Sequence, residues 1–230
     1  MLNRKIILQF TLLTLLISLC ATATFARQNN RLSDSTNTTS LDFNEQTHLV
    51  FMREEEKLAR DVYIILGNMY PDSSVFGNID DSEQRHTDSV RDKLLQYGIT
   101  DPSTNDNVGV FTGEAYGWYF TEKYHELIAR GAMSEFDALY VGAFIEELDM
   151  RDINQCPSVI VETYDAITDV SECGKVYTQN SDIQRLYENL LEGSENHLAA
   201  YVRKIEVVIG KGAYEAQVLT QDQVDAILGR

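Results

Sequence analysis

In Ser82-Glu83-Gln84-Arg85-His86, a carboxylate and an imidazole stand three residues apart, at Glu83 and His86. On a helix that spacing puts both on one face. The face reads Ile79, Glu83, His86, Val90, Leu94, Tyr97, so two polar groups interrupt an apolar stripe that turns toward the core. Burying either without a partner costs on the order of 2–7 kcal/mol. A metal ion satisfies both at once. A buried Glu–His hydrogen bond and a helix rotated to keep both in water are the competing readings, and a short pattern does not choose among them.

Three other segments repeat the feature. Residues 44–70 read as a helix that stops before Pro71, with a core stripe of Leu49, Met52, Glu56, Ala59, Tyr63, Leu66. Glu54 and Glu55 flank Glu56, and the competing readings are that all three are solvated helix charges or that Arg53 and Arg60, on either side, neutralise Glu56. The helix of Glu83 spans 80–97, after a loop over 71–78, and Gly98 ends it. Residues 134–153 form a helix opened by Ser134 and Asp137 as a capping box. Its inner face reads Leu139, Gly142, Glu146, Asp149, Ile153, with Glu147 about 100° off that line. The last long helix, of about 26 residues, carries Ile183, Leu186, Leu190, Ser194, His197, Tyr201, Ile205, Val208 on one face. His197 is the titratable acid or base on that stripe.

Lesser elements lie between these. A polar connection over 99–112 leads to a shorter helix, 114–129, whose Glu122 and His125 read as a surface pair because His125 sits off the apolar line. Short helices are expected over 158–167 and, capped by Thr220, over 221–228. The four long helices therefore each set acid or imidazole groups midway along an apolar stripe. Four or five carboxylates in one core cannot all stay ionised without cations, and a pair of divalent metals resolves the charge.

Composition narrows the function classes. Arg4 and Lys5 precede an apolar run over 6–20 and small residues at 21–26, which reads as a secretory signal cut after Ala26, with Ala23 as the alternative. That segment holds two of the 19 basic residues and none of the 36 acidic ones, so its removal moves the formal charge from −17 to −19. Nucleic acid and anionic membrane are disfavoured as partners, and cations are favoured. No later run is apolar for long enough to span a bilayer, so the expectation is a secreted or periplasmic protein free of the membrane after cleavage. Residues 27–42 are rich in Asn, Ser and Thr and read as a disordered leader, with a sequon at Asn37. Cys156 and Cys173 remain in the mature chain. In an oxidising compartment the pair reads as one disulfide, the alternative being two reduced thiols. Phosphate-binding Gly loops and nucleophile–base pairs are not evident.

Glu54-Glu55-Glu56-Lys57-Leu58-Ala59-Arg60-Asp61-Val62-Tyr63, Ser82-Glu83-Gln84-Arg85-His86, Gly142-Ala143-Phe144-Ile145-Glu146-Glu147-Leu148-Asp149 and Gly193-Ser194-Glu195-Asn196-His197-Leu198 occur in that order. In these motifs the chain resembles an uncharacterised, rubrerythrin-related family of bacteria and archaea, a ferritin-like domain of unknown function. The resemblance spans roughly residues 43–229. It implies an all-α fold, a ferritin-like antiparallel four-helix bundle with a long crossover between the second and third helices that carries an extra helix. It also implies a dinuclear metal held by Glu56, Glu83, His86, Glu146 and His197. The pattern wants Glu-x-x-His on the last helix, where this chain has Ser194; Asp149, or Glu195 from the edge, would have to supply the missing carboxylate. Iron is the metal expected first, with manganese or zinc as alternatives. The function so implied is an exported di-iron protein with ferroxidase- or peroxidase-type turnover on oxygen or peroxide, in which Tyr63 and Tyr201 are either redox partners or core aromatics. The alternative is a metal-binding or structural bundle without turnover. A homo-oligomer is compatible with either.

Overall fold

A computed structural model describes residues 40–230; the expected signal over 1–26, the Asn37 sequon and the expected leader through residue 39 lie outside them. The described residues form seven α-helices and one 3-10 turn, with no strand among them. They are α1 (Phe43–Met69), α2 (Ser74–Gln96), α3 (Gly117–Gly131), α4 (Glu135–Asn154), α5 (Ser158–Thr163), α6 (Ser181–Ile209) and α7 (Gln221–Ile227). No helix among these residues is long and apolar enough to cross a membrane.

Local sequence accounts for most helix ends. Asp42 caps α1 by accepting from the Glu45 amide, and the Glu45 carboxylate accepts in turn from the Asp42 amide. Leu41, expected in the leader, is buried because this cap turns the chain back onto the core. Ser134 caps α4 by accepting from the Asp137 amide, while its hydroxyl donates to the Asp137 carboxylate at 2.5 Å, so the expected box is closed through the side chains. Two expectations fail for packing reasons. α2 begins at Ser74 rather than near residue 80, since Val75 and Phe76 are buried and the turn after Pro71 is already helical. Val208 is 67% exposed: α6 runs 29 residues against the 20 of α4, and its last turn projects beyond its partner.

Directions follow from the end contacts. α1 and α2 form a hairpin through Tyr70–Ser73, and α2 ends where α6 begins, with Gln96 donating to Asp182 and the Tyr97 hydroxyl to Asn180. α1 and α6 start together, tied by Tyr177 to Asp42 and Thr178 to Glu45. His48 near the start of α1 meets the end of α4: one ring nitrogen donates to the Asp152 carbonyl at 2.8 Å, and the other accepts from the Tyr187 hydroxyl of α6 at 2.7 Å. α2 and α4 therefore run the same way, and the connection over 97–134 must return the chain along the length of the molecule.

It returns along α1. Arg53 bonds Thr87 and pairs with Asp101; Glu54 accepts from the Gly113 amide; Lys57 pairs with Asp61 and reaches the Asn107 carbonyl; Arg60 pairs with Asp61 and Asp106. Arg53 and Arg60 thus hold the crossover, not Glu56 as sequence allowed. Every residue from 51 to 63 is buried, and Glu54 and Glu55 are not the solvated charges that their sequence context permitted.

Glu147, off the α4 inner line, is also buried. Its carboxylate accepts from the amides of Gln217, Val218 and Leu219 and from the Tyr214 hydroxyl, strapping the C-terminal segment to α4. The structure joins Cys156 to Cys173, 17 positions apart, closing a loop that holds α5, shorter than its expected span of 158–167. Gly174 follows with φ of 76°, where a Cβ would meet the backbone of Asn154 and Gln155.

Two measurements test this frame. Thiol titration of unfolded, unreduced protein should find neither Cys156 nor Cys173 free, and reduction should cost about 3 kcal/mol for a loop of this length; two titrating thiols would remove the bond. His48 is fully buried, and burial lowers its pKa from 6.5 to about 4. The unfolded chain then binds more protons than the folded one between those values. The stability that His48 contributes is complete above pH 6.5 and is lost as pH falls toward 4, by up to about 3 kcal/mol. Urea midpoints should show the gap between wild type and His48→Gln narrowing across that window; a constant gap would mean that His48 does not titrate this way.

Candidate metal centre

Four helices converge on one buried cluster. Glu56 comes from α1, Glu83 and His86 from α2, Glu146 from α4 and His197 from α6, while Asp149 of α4, hydrogen-bonded to Ser194 of α6, is buried beside them but belongs to neither ligand triad. The ligand atoms of Glu56, Glu83 and His86 all lie within 4.8 Å of one another, as do those of Glu83, Glu146 and His197. Glu83 belongs to both triads. Its Oε2 is 3.0 Å from His86 Nδ1, which also lies 3.4 Å from Glu56 Oε2. Its Oε1 is 2.7 Å from His197 Nδ1, which lies 3.5 Å from Glu146 Oε2. The two imidazoles stack with centroids 5.6 Å apart. The i,i+3 spacing of Glu83 and His86 makes this sharing geometrically available.

The electrostatics describe a site short of positive charge. Burial raises Glu56 to about 7 against the opposing pull of His86. Burial also raises Glu146 and, with the charges of Glu56, Glu146 and Glu83, lifts Asp149 well above the usual carboxylate range. Burial works the same way on Glu83, but its close contacts with the His197 and His86 imidazoles outweigh it and hold Glu83 down to about 2. For the imidazoles burial pulls downward, yet Glu56 and Glu83 push His86 up to about 12, and Glu146 and Glu83 push His197 up to about 10. Protons on both imidazoles stand in for the cations that the carboxylates require.

Glycines and tyrosines shape the pocket wall. A Cβ at Gly193 would overlap the His86 ring, and one at Gly142 would overlap the Tyr201 ring. Tyr63 donates to Glu146 Oε1 at 2.6 Å, fixing that carboxylate. Both Glu56 oxygens, Glu83 Oε1, Asp149 Oδ1, His197 Nδ1 and the Tyr201 hydroxyl are buried without a hydrogen-bond partner among the described residues. Glu83 Oε1 and His197 Nδ1 lie 2.7 Å apart but are misaligned for a hydrogen bond. Orphaned acceptors of this kind are costly in a dry core, and a divalent cation satisfies them together. Oxygen and imidazole donors without thiolate suit iron, manganese or zinc. The residues present fit such a metal.

Other acids and histidines stand apart. Glu122 and His125 are exposed on α3, and Glu195 is exposed on α6, so it does not supply the carboxylate absent at Ser194. Instead Ser194 donates to Asp149 Oδ2 at 2.5 Å. Glu55 and Asp152 form a second buried acid pair, Asp152 near enough to raise the cost of ionising Glu55, with Arg151 on Asp152. That pair was legible in part: Asp152 continues the row from Asp149 by three residues. Glu147 carried no such signal, because its partners are backbone amides.

Residues 45–230 match the family described as "Uncharacterized protein domain (DUF2202)". "Uncharacterized protein MJ0754" of Methanocaldococcus jannaschii is 39% identical over 184 residues, covering 80% of this chain and 86% of the relative. The solved structure described as "Crystal structure of hypothetical protein MJ0754 from Methanococcus jannaschii DSM 2661" superposes with a TM-score of 0.67 at 38% identity, covering 83% of this chain and 94% of that one. On the family match over 45–230, supported by this relative, the chain belongs to the DUF2202 domain family.

Proposed function

We propose that the protein is an exported, ferritin-like four-helix protein that holds a pair of divalent metal ions, iron foremost, between α1, α2, α4 and α6. The observation that carries this reading is Glu83, one carboxylate facing two triads, each completed by one imidazole and one further carboxylate. The paired directions of α1 with α6 and α2 with α4, and the crossover along α1, support the ferritin-like arrangement. The signal-like segment at 1–26 supports export. A bound iron pair would supply two one-electron equivalents, which match the two electrons that reduce peroxide to water. The chain's own residues do the rest. Glu56 with His86 and Glu146 with His197 would each hold an ion, Glu83 would serve both groups, and Tyr63 holds Glu146 in place through its hydroxyl. His86, 13% exposed at its side chain against 1% for Glu56, is where the cluster comes nearest to solvent. Ferroxidase- or peroxidase-type turnover follows from this reading.

A second reading has its own support: each of the four long helices contributes at least one donor, so the ions would cross-link the core whether or not they turn over.

Metal analysis of protein purified without a histidine tag should find two ions per chain. Glu83→Ala should lower both, and Glu56→Ala or His197→Ala chiefly one. Full occupancy in a Glu83→Ala, His86→Ala, His197→Ala triple variant would place the metal elsewhere, with Glu122 and His125 the next residues to test. Chelation should lower the melting temperature, since metal at 100 times its Kd adds about 2.7 kcal/mol. Under anaerobic ferrous loading, peroxide should be consumed at one per two irons. Retained metal with no consumption of oxygen or peroxide would favour the cross-linking role.

A further inference from the structure

We infer that Asp149 is the fourth carboxylate of the metal site and that Ser194 is the positioning residue that decides which of its oxygens faces the metal; this rests on the dinuclear reading above. Asp149 Oδ2 accepts from Ser194 Oγ at 2.5 Å, while Oδ1 is buried with no partner. The Ser194 hydroxyl also lies 3.1 Å from the Leu190 carbonyl one turn back, which holds its rotamer. One oxygen is thereby tied down and the other left free.

The surroundings of Asp149 argue against a purely structural acid. The charged groups that bear most on it are Glu55 and Glu56 of α1, Glu83 of α2 and Glu146 of its own helix, all of one sign. A buried carboxylate whose single partner is a neutral hydroxyl is not stabilised by that partner alone. Counting formal charge, Glu56, Glu83, Glu146 and Asp149 carry four negatives when ionised, and two divalent ions with neutral imidazoles balance them. Ser194 adds a donor and no charge. A carboxylate at both 149 and 194 would overcharge the site, and at neither would leave it one short.

The test uses the full chain, stripped with chelator and titrated with Co2+, read by stoichiometry and by the visible absorption of the bound ion. Wild type should take two equivalents. Asp149→Asn should keep one and weaken the second at least tenfold. Ser194→Ala, which preserves charge but frees the carboxylate, should weaken the second about tenfold while both still bind at saturation. The exchanged pair, Asp149→Ser with Ser194→Asp, returns the charge across the same hydrogen bond and should recover the second ion relative to Asp149→Ser alone. Melting of each metal-free variant checks folding, and if Asp149→Asn does not fold, Ser194→Ala decides. Two ions bound at wild-type affinity in Asp149→Asn and in Ser194→Ala would overturn this inference and leave the metal pair standing. An exchanged pair no better than Asp149→Ser would count against the ligand role. Wild type that binds no Co2+ would overturn the dinuclear reading first, and this inference with it.

Discussion

Negative charge concentrated in a dry core is the constraint on which the rest of this structure depends. Glu56, Glu83, Glu146 and Asp149 are all buried, and they approach one another from three helices. In protein interiors such groups are neutralised by protons, by basic side chains or by metal. The basic side chains of α1 that flank Glu56, Arg53, Lys57 and Arg60, are committed to Thr87 of α2, to Asp61 and to Asp101 and Asp106 of the crossover. Neutralisation by protons requires imidazoles held near pKa 12 and 10 beside carboxyls lifted above their usual range. Two divalent ions meet the same requirement while satisfying the orphaned oxygens.

That division of labour explains the density of charge on α1. Its inward residues, Glu55 and Glu56, face acids, whereas Arg53, Glu54, Lys57, Arg60 and Asp61 face the crossover and are paired there. A buried ion pair such as Lys57–Asp61 adds little net stability against an apolar replacement, but losing one partner costs about 3–5 kcal/mol. Its contribution here is to place the crossover: Lys57 reaches the Asn107 carbonyl, and Asp61 accepts from the Gly109 amide. The loop that covers α1 is thus positioned by the helix that carries Glu56. The Glu147 strap on the C-terminal segment and the His48 link between α1, α4 and α6 act similarly at other places, through hydrogen bonds to backbone groups and tyrosine hydroxyls.

Local sequence determined the helical class, the four long helices, most of their caps and which residues stand midway along each buried stripe. Hydrophobic period and capping are properties of neighbours in the chain, so Glu56, Glu83, His86, Glu146, Asp149 and His197 could be singled out without a structure. Tertiary structure alone decided what surrounds each helix. It buried α1 on every side over residues 51–63, made core groups of Glu54 and Glu55, which could have been solvated, and of Glu147, which lies off the inner line of its helix, and left Val208 outside where α6 outruns α4. It also settled that Asp149, and not Glu195, lies against Ser194. These outcomes depend on contacts between residues far apart in the chain, and periodicity along one helix carries no information about what packs against its other faces.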